Sequence, residues 1–502
     1  MATETEIKLS LTTRAAQSLA KHPLLAGVTS QRQLLVNTYY DTADGRLRQE
    51  RVVVRHRLKG RLWLQTVKTV AVLSSGLAQR GEWELPGRPG HFDFAQVDDD
   101  AIRTLLESVR GELQPMFTTR FVRHTWLLKR GDDVAIEVAL DRGWIEAQGR
   151  RRMIREIELE LLGGTVGDLF ALAGELQQTV LLHPEVSSKS DRAYRLLANA
   201  PLAPVKAIPI PLTAETPSIA AFRRVSFSCL TQLQSNEEGV RQSEQPEFVH
   251  QARVAMRRLR SAIRLWEPLL PESFVARFDL RWQAMASKLG EARNWDVFIA
   301  ETLPMLNAAW PDHSELERLA RYSAQRRLAS RRAARTALKS ADYCRLLIEY
   351  TAAVLALPEA SGSRLAGFVP RCLNRRLRRV GERTAEALSG DVAARHRLRV
   401  AFKQLRYALE FFAPLLPTSA IANYLQTVAA LQDLLGRLND LAVARGAVMT
   451  ALPGRRGQPF IDWLAAQMEV LRPELADLMT TLGQQTPPWQ EKEAVPTAAV
   501  GS

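Results

Sequence analysis

Three cysteines in 502 residues (Cys229, Cys344, Cys372) are too few and too widely spaced for a disulfide framework or a cysteine-based zinc site. They fit a reducing compartment. No apolar run approaches the roughly 20 residues of a membrane span. The N-terminus has no apolar core of a signal peptide, so a cytoplasmic protein is expected. Aromatic residues make up 7% of the chain, and the arginine-rich stretches lack the interleaved rings that stack bases. That argues against a dedicated nucleic-acid reader in the basic half. Acidic residues are also short there. Residues 1–200 carry 28 Lys and Arg against 25 Asp and Glu, and the remainder carries 40 against 29, so most of the net charge of +14 lies C-terminally. Such a surface favours polyanions.

The length is too great for a single core, and the patterning divides the chain. Residues 1–197 alternate with period 2 in short stretches such as ETEIKLSL, RVVVRHRLKG and REIELELLGG, with Gly and Asp turns between them. This predicts an antiparallel, strand-rich α+β domain. A proline-rich segment, 198–218, reads as a linker. Residues 219–482 show helical spacing and read as all-α, and 483–502 as a disordered tail. The helical part contains a duplication. HQARVAMRRLRSAIRLWEPLLP from His250 and HRLRVAFKQLRYALEFFAPLLP from His396 share 11 of 22 positions at an offset of 146, and the same offset pairs Gly290 with Gly436. Two helical bundles are expected.

Residues i, i+2 and i+4 of a strand share a face. Glu4, Glu6 and Lys8 share one, with Ile7 and Leu9 opposite. Arg55 and Arg57 share another, as do Arg80, Glu82 and Glu84; Glu137 and Asp141; and Glu156, Glu158 and Glu160. One such strand is usually a solvated face. Many side by side, with both signs present and little Ser, Thr or Gln between, incur repulsion that an ordinary wet face avoids. Turned inward in a closed sheet, they form a mixed lumen. Carboxylates there hold Mg²⁺ or Mn²⁺ by oxygen, and Arg and Lys grip phosphate oxygens. These are the components of metal-assisted phosphoryl transfer.

The ordered motifs ETEIK, TYYDT, VRHRLKG, QTVKT, RGEWELP, EVALDRG, REIELEL and SKSDRAY resemble the CYTH superfamily, the triphosphate tunnel metalloenzymes. The resemblance implies an eight-stranded antiparallel tunnel for a linear triphosphate and a divalent metal, Mg²⁺ or Mn²⁺. It implies Glu4, Glu6, Glu156 and Glu158, with Glu160, as metal holders. Lys8, Arg55, Arg57, Lys68 and Arg120 become phosphate ligands, joined by Arg80, Lys189 and Arg192. A carboxylate of the Glu156–Glu160 strand would orient or deprotonate the attacking water. Hydrolysis of tripolyphosphate to diphosphate and phosphate is the expected reaction. An adenylate cyclase, a nucleoside or thiamine triphosphatase, and a non-catalytic polyphosphate binder are the alternatives.

In the helical half, His250, Arg253, Arg257, Arg260 and Arg264 fall at spacings of 3, 4, 3 and 4, and His396, Arg399, Lys403 and Arg406 at 3, 4 and 3. Each set forms one stripe whose stacked like charges are unfavourable unless a polyanion meets them. Together with LGEARNWDVF and LQDLLGRLND, these stripes resemble the CHAD domain, with Asn294 a departure from the family's usual Asp. The resemblance implies binding of long-chain inorganic polyphosphate and association with polyphosphate granules. No specific nucleic acid and no membrane are expected as partners.

Overall fold

In the computed structural model, residues 2–69, 72–74, 76–359, 363–388 and 392–490 are described. The chain forms two compact units. One contains the residues up to Ala203 together with Leu338–Ala356; the other contains Pro204–Ala337 and the residues from Leu357 onward.

The first unit is built on ten strands: β1 (Ala2–Leu11), β2 (Ser30–Asp41), β3 (Val52–Lys59), β4 (Leu62–Thr69), β5 (Val72–Ser74), β6 (Leu77–Pro86), β7 (Gln114–Arg130), β8 (Val134–Ala147), β9 (Arg150–Gly163) and β10 (Leu182–Pro184). Eight of them close a barrel in the order β1–β9–β8–β7–β2–β3–β4–β6, with β6 returning to β1; β5 and β10 are short additions at β6 and β1. Every pairing is antiparallel. The expected eight-stranded barrel is therefore present.

Strand alternation sets what faces where. Ile7, Leu9, Val138, Leu140, Ile157 and Leu159 point outward into an apolar layer completed by the Val166–Leu176 helix. Val54, Val67 and Trp83 point outward beneath the Asp100–Val109 helix, whose Leu106 and Val109 cover them. With the apolar sides spent on these outer layers, the charged sides turn inward. A third cluster, Leu35, Tyr39, Phe117, Phe121, Ile145 and Ile154, lies inside the barrel and receives Ala193 and Tyr194. The Lys189–Ala198 helix that carries them thus plugs one end. Ser188 caps it, accepting from Asp191 N at 3.0 Å while Asp191 accepts from Ser188 N. The Tyr194 hydroxyl donates to buried Asp41 at 2.6 Å.

Two sequence boundaries are corrected. The Ala341–Leu355 helix, expected within the all-α domain, belongs to the barrel unit. Its Ile348, Ala352 and Leu355 complete the outer apolar layer, and Tyr343 meets the His183 ring at 6.1 Å. Ile348→Ala is expected to cost about 2–5 kcal/mol. Faster amide exchange in β1 and β10 would register that loss; unchanged exchange would show the helix to be dispensable. Residues 483–490, expected as the start of a disordered tail, are ordered. The last helix runs to Gln484, and Trp489 packs edge-on against buried Tyr424 and donates to Asn374 at 2.8 Å. The rest of the expected tail, 491–502, lies outside the described residues.

The second unit shows the duplication in its element bounds. Pro246–Trp266 and Val392–Phe412 are equivalent helices, each followed by a 3₁₀ turn and a long helix, Glu272–Val297 and Thr418–Ala451. Among the described residues, no helix is long and apolar enough to cross a membrane.

Candidate active site

Inside the barrel is a cavity of about 470 Å³. Alternation on β1, β3, β4 and β6 brings Glu4, Glu6, Lys8, Arg55, Arg57, Lys68 and Arg80 to its wall, and Glu158 and Glu160 of β9 and Lys189 of the plug helix join them. The opening ETEIK stretch therefore has its charged side inward.

The charges are interleaved. Lys68 meets Glu4 at 2.8 Å and Glu82 at 2.9 Å; Arg80 meets Glu4 at 2.6 Å and Glu6 at 2.7 Å. Lys8 lies 3.6 Å from Glu6 and 3.5 Å from Glu158. Although burial opposes it, Lys68 and Arg80 hold the Glu4 carboxyl well below the usual range. Burial, then the like charges of Arg55 and Arg123, push Arg57 down to about 10. Its Nε donates to Asn37 Oδ1 at 2.8 Å, and Asn37 in turn donates to Thr119. Arg55 is held less completely: its Nε and Nη2 are buried without a hydrogen-bond partner among the described atoms. Buried donors of that kind suit an anionic oxygen.

Three expected residues lie elsewhere. Arg120 is exposed on the outer wall, because β7 turns Thr119, Phe121 and Arg123 inward and Arg120 outward. Arg123 takes the inward position that Arg120 was expected to fill, pairing with Asp141 at 2.7 Å and with Glu158. The sequence stretch TRFVRHT has an arginine of each parity, and the apolar flanks do not separate them. The cross-strand partner of Arg123, Asp141, would have done so. Glu156 and Arg192 are paired with each other behind the cavity wall, and Glu156 is fully buried.

Two carboxylate groups bear on metal binding. Asp141, Glu156 and Glu158 have oxygens within 4.8 Å of one another. The Lys189 ammonium already bridges all three, at 2.8 Å from Asp141, 2.9 Å from Glu158, and in contact with Glu156. A lysine thus fills the place a cation would take, and these residues anchor the plug helix. The second group is Glu4, Glu6, Glu137 and Glu160, on adjoining strands with Glu6 and Glu137 each opposite Glu160. Burial, then the carboxylates of Glu4 and Glu137, raise Glu160 to about 7. An excess of carboxylate oxygen over cation at this spot fits a hard divalent ion.

In the helical unit the predicted stripes divide. Arg260 and Arg264 share Asp279, at 3.1 and 2.9 Å, and Arg406 pairs with Glu410 at 2.8 Å. His396 sits beside Asn439, Nδ1 to Oδ1 3.2 Å. Arg253, Arg257, Arg399 and Lys403 instead converge. Burial, then Arg257 and Arg399, lower Arg253 to about 10; burial, then Arg257, lower Arg399 to about 10. Burial and the arginines Arg257, Arg399 and Arg253 push Lys403 to about 4, with Asp440 the acid that opposes them. Arg257 Nη2 and Arg399 Nε are buried without partners among the described atoms. His250 borders the group, lowered by burial and then by Arg293.

Comparison with known proteins locates both halves. The family model described as the CYTH domain matches residues 2–194, and that described as the CHAD domain matches 225–448. The inorganic triphosphatase of Haemophilus influenzae is 32% identical over 210 residues, which cover 39% of this chain and 55% of that protein, so the match spans about half the relative's length. The crystal structure of the CHAD domain from the plant Ricinus communis is 32% identical, with a TM-score of 0.52, covering 57% of this chain and 98% of that one.

Proposed function

From the premise that this chain belongs to the CHAD family and carries a CYTH domain ahead of its CHAD domain, we propose that it is a metal-dependent inorganic triphosphatase whose helical unit binds long-chain polyphosphate. The observation that carries the reading is the closed barrel with its interleaved inner wall, in which the buried Arg55 guanidinium has only a long ion pair to Glu82, 3.8 Å from Nη2, and a buried Nε without a hydrogen bond among the described atoms. The name of the Haemophilus influenzae relative supports an inorganic substrate.

Tripolyphosphate lies along Lys8, Arg55, Arg57, Lys68, Arg80 and Arg123. Their cations neutralise its charge and the charge that grows on the departing diphosphate. Glu4, Glu6 and Glu137 would hold the divalent ion, Mg²⁺ or Mn²⁺. When bound, that ion draws charge from the phosphoryl oxygens. Glu160 faces the cavity with no cation in salt-bridge range among the described residues, so it accepts the proton of the attacking water. The water oxygen bonds to the terminal phosphorus, the bridging P–O bond breaks, and diphosphate leaves with its electron pair. No covalent enzyme intermediate is needed. In the helical unit, a phosphate chain supplies the negative charge that Arg253, Arg257, Arg399 and Lys403 lack.

Phosphate release with Mg²⁺ or Mn²⁺ from tripolyphosphate, ATP and thiamine triphosphate, at equal concentrations, tests the reading. Preference for tripolyphosphate is the expected result. Preference for ATP would move the assignment to a nucleotide enzyme, and no turnover on any of the three would remove the catalytic claim.

A further inference from the structure

The helical cover of the barrel is incomplete. Apolar layers close the outer faces around β1, β9 and the start of β8, and around β3, β4 and β6. Between them, outward side chains of β2, β7, β8 and β9 remain open. Register sets them in rows. Arg120 lies opposite Trp144, and Trp144 opposite Met153; in the next row Leu34 lies opposite Val122, Val122 opposite Arg142, and Arg142 opposite Arg155. Trp144, Met153 and Leu34 are 46%, 46% and 45% exposed. Beside Trp144 the wall dips into a groove of about 370 Å³ bordered by Leu34, Arg120 and Arg142. Gly143, opposite inward-facing Phe121, lets β7 and β8 run close together behind this groove, since a Cβ there would stand 2.1 Å from the Arg120 carbonyl oxygen.

This face is not an ordinary solvated one. Its acid, Glu146, is taken by Arg151 at 3.0 Å. Among the described residues, Arg120, Arg142 and Arg155 have no carboxylate partner. Arg142 reaches only the His124 ring, at 3.5 Å, and Arg155 the Met153 sulfur. Two arginines directly opposite on neighbouring strands destabilise the sheet. A second copy of the chain would bring these like charges face to face. A lipid surface suits an apolar projection, whereas here the apolar side chains alternate with arginines across a groove. A chain that alternates rings and phosphates matches the pattern.

We infer that this outer wall binds single-stranded nucleic acid without sequence preference, with a base stacked on Trp144 and the neighbouring phosphates on Arg120, Arg142 and Arg155. The site is separate from the tunnel and independent of its chemistry.

Fluorescence anisotropy of labelled oligouridylate tests this. The full chain is used, with Arg253, Arg257, Arg399 and Lys403 changed to Glu so that the helical cations do not contribute, and the comparison is repeated in the unmodified protein. Trp144→Ala is expected to weaken binding about tenfold and Trp144→Phe to preserve most of it. Arg142→Glu with Arg155→Glu should weaken it further and flatten its salt dependence. Phosphate release should be unchanged in all three. Equal binding by the Trp144→Ala protein would overturn the inference. So would capture of phosphatidylserine vesicles with no oligonucleotide binding.

Discussion

Glu4→Gln is expected to lower phosphate release from tripolyphosphate by about a hundredfold to a thousandfold, the scale of losing one preorganised charge at a transition state. The amide keeps the shape of the carboxylate and removes its charge. Three things then change together: the group that would hold a divalent ion loses an anionic oxygen, and Lys68 and Arg80 each lose their shortest ion pair. The barrel should survive, because Lys68 keeps Glu82 at 2.9 Å and Arg80 keeps Glu6 at 2.7 Å. The decisive measurement is kcat with saturating Mn²⁺, beside a circular dichroism melt and a polyphosphate-retention assay. An unchanged kcat would remove Glu4 from the site. Loss of polyphosphate retention with the fold intact would reject the division of labour between the two units.

The second large effect lies in the helical unit. Reversing the charges of Arg253, Arg257, Arg399 and Lys403 should abolish retention on polyphosphate and spare hydrolysis in the barrel. Lys403 alone provides a sharper test. Its folded-state pKa lies far below its unfolded value, so between about pH 4 and the ordinary lysine range the unfolded chain binds the extra proton. Stability therefore rises with pH through that window. Lys403→Met removes the cost of a buried amine among Arg253, Arg257 and Arg399 and is expected to raise Tm at pH 7 while weakening polyphosphate binding. A polyanion also restores the proton to Lys403, so affinity should increase as pH falls from 8 towards 5. Calorimetry in buffers of different ionisation enthalpy would show the proton uptake. If Lys403→Met neither stabilises the protein nor weakens retention, the cluster of Arg253, Arg257, Arg399 and Lys403 is not the polyphosphate site.

Period-2 alternation made the barrel legible, because a strand that spends its apolar side on a helical layer has only its charged side left for the interior. Glu4, Glu6, Lys8, Arg55, Arg57, Lys68 and Arg80 follow from that rule. Arg120 failed it because β7 is long and has apolar residues of both parities at Phe121 and Val122. Glu156 and Arg192 have the right parity but sit at a depth that alternation does not encode, where the plug helix claims them. The stripes in the helical half were visible from spacing. The Asp279 and Glu410 partners that neutralise their C-terminal ends come from a neighbouring helix and from the next turn, so reading each stripe alone overcounted its free cations. The docking of Ala341–Leu355 left no signal, since its apolar face would serve equally in a bundle.

That helix has a further consequence. The polypeptide leaves the barrel unit near Ala203, returns at Leu338 and departs again after Ala356. A protease that nicks the proline-rich segment therefore liberates nothing. The nicked product is two covalently separate fragments held together by packing, because Ile348, Ala352 and Leu355 of the second fragment complete the apolar layer of the first. Expression boundaries drawn at the linker would accordingly amputate part of the barrel's own wall.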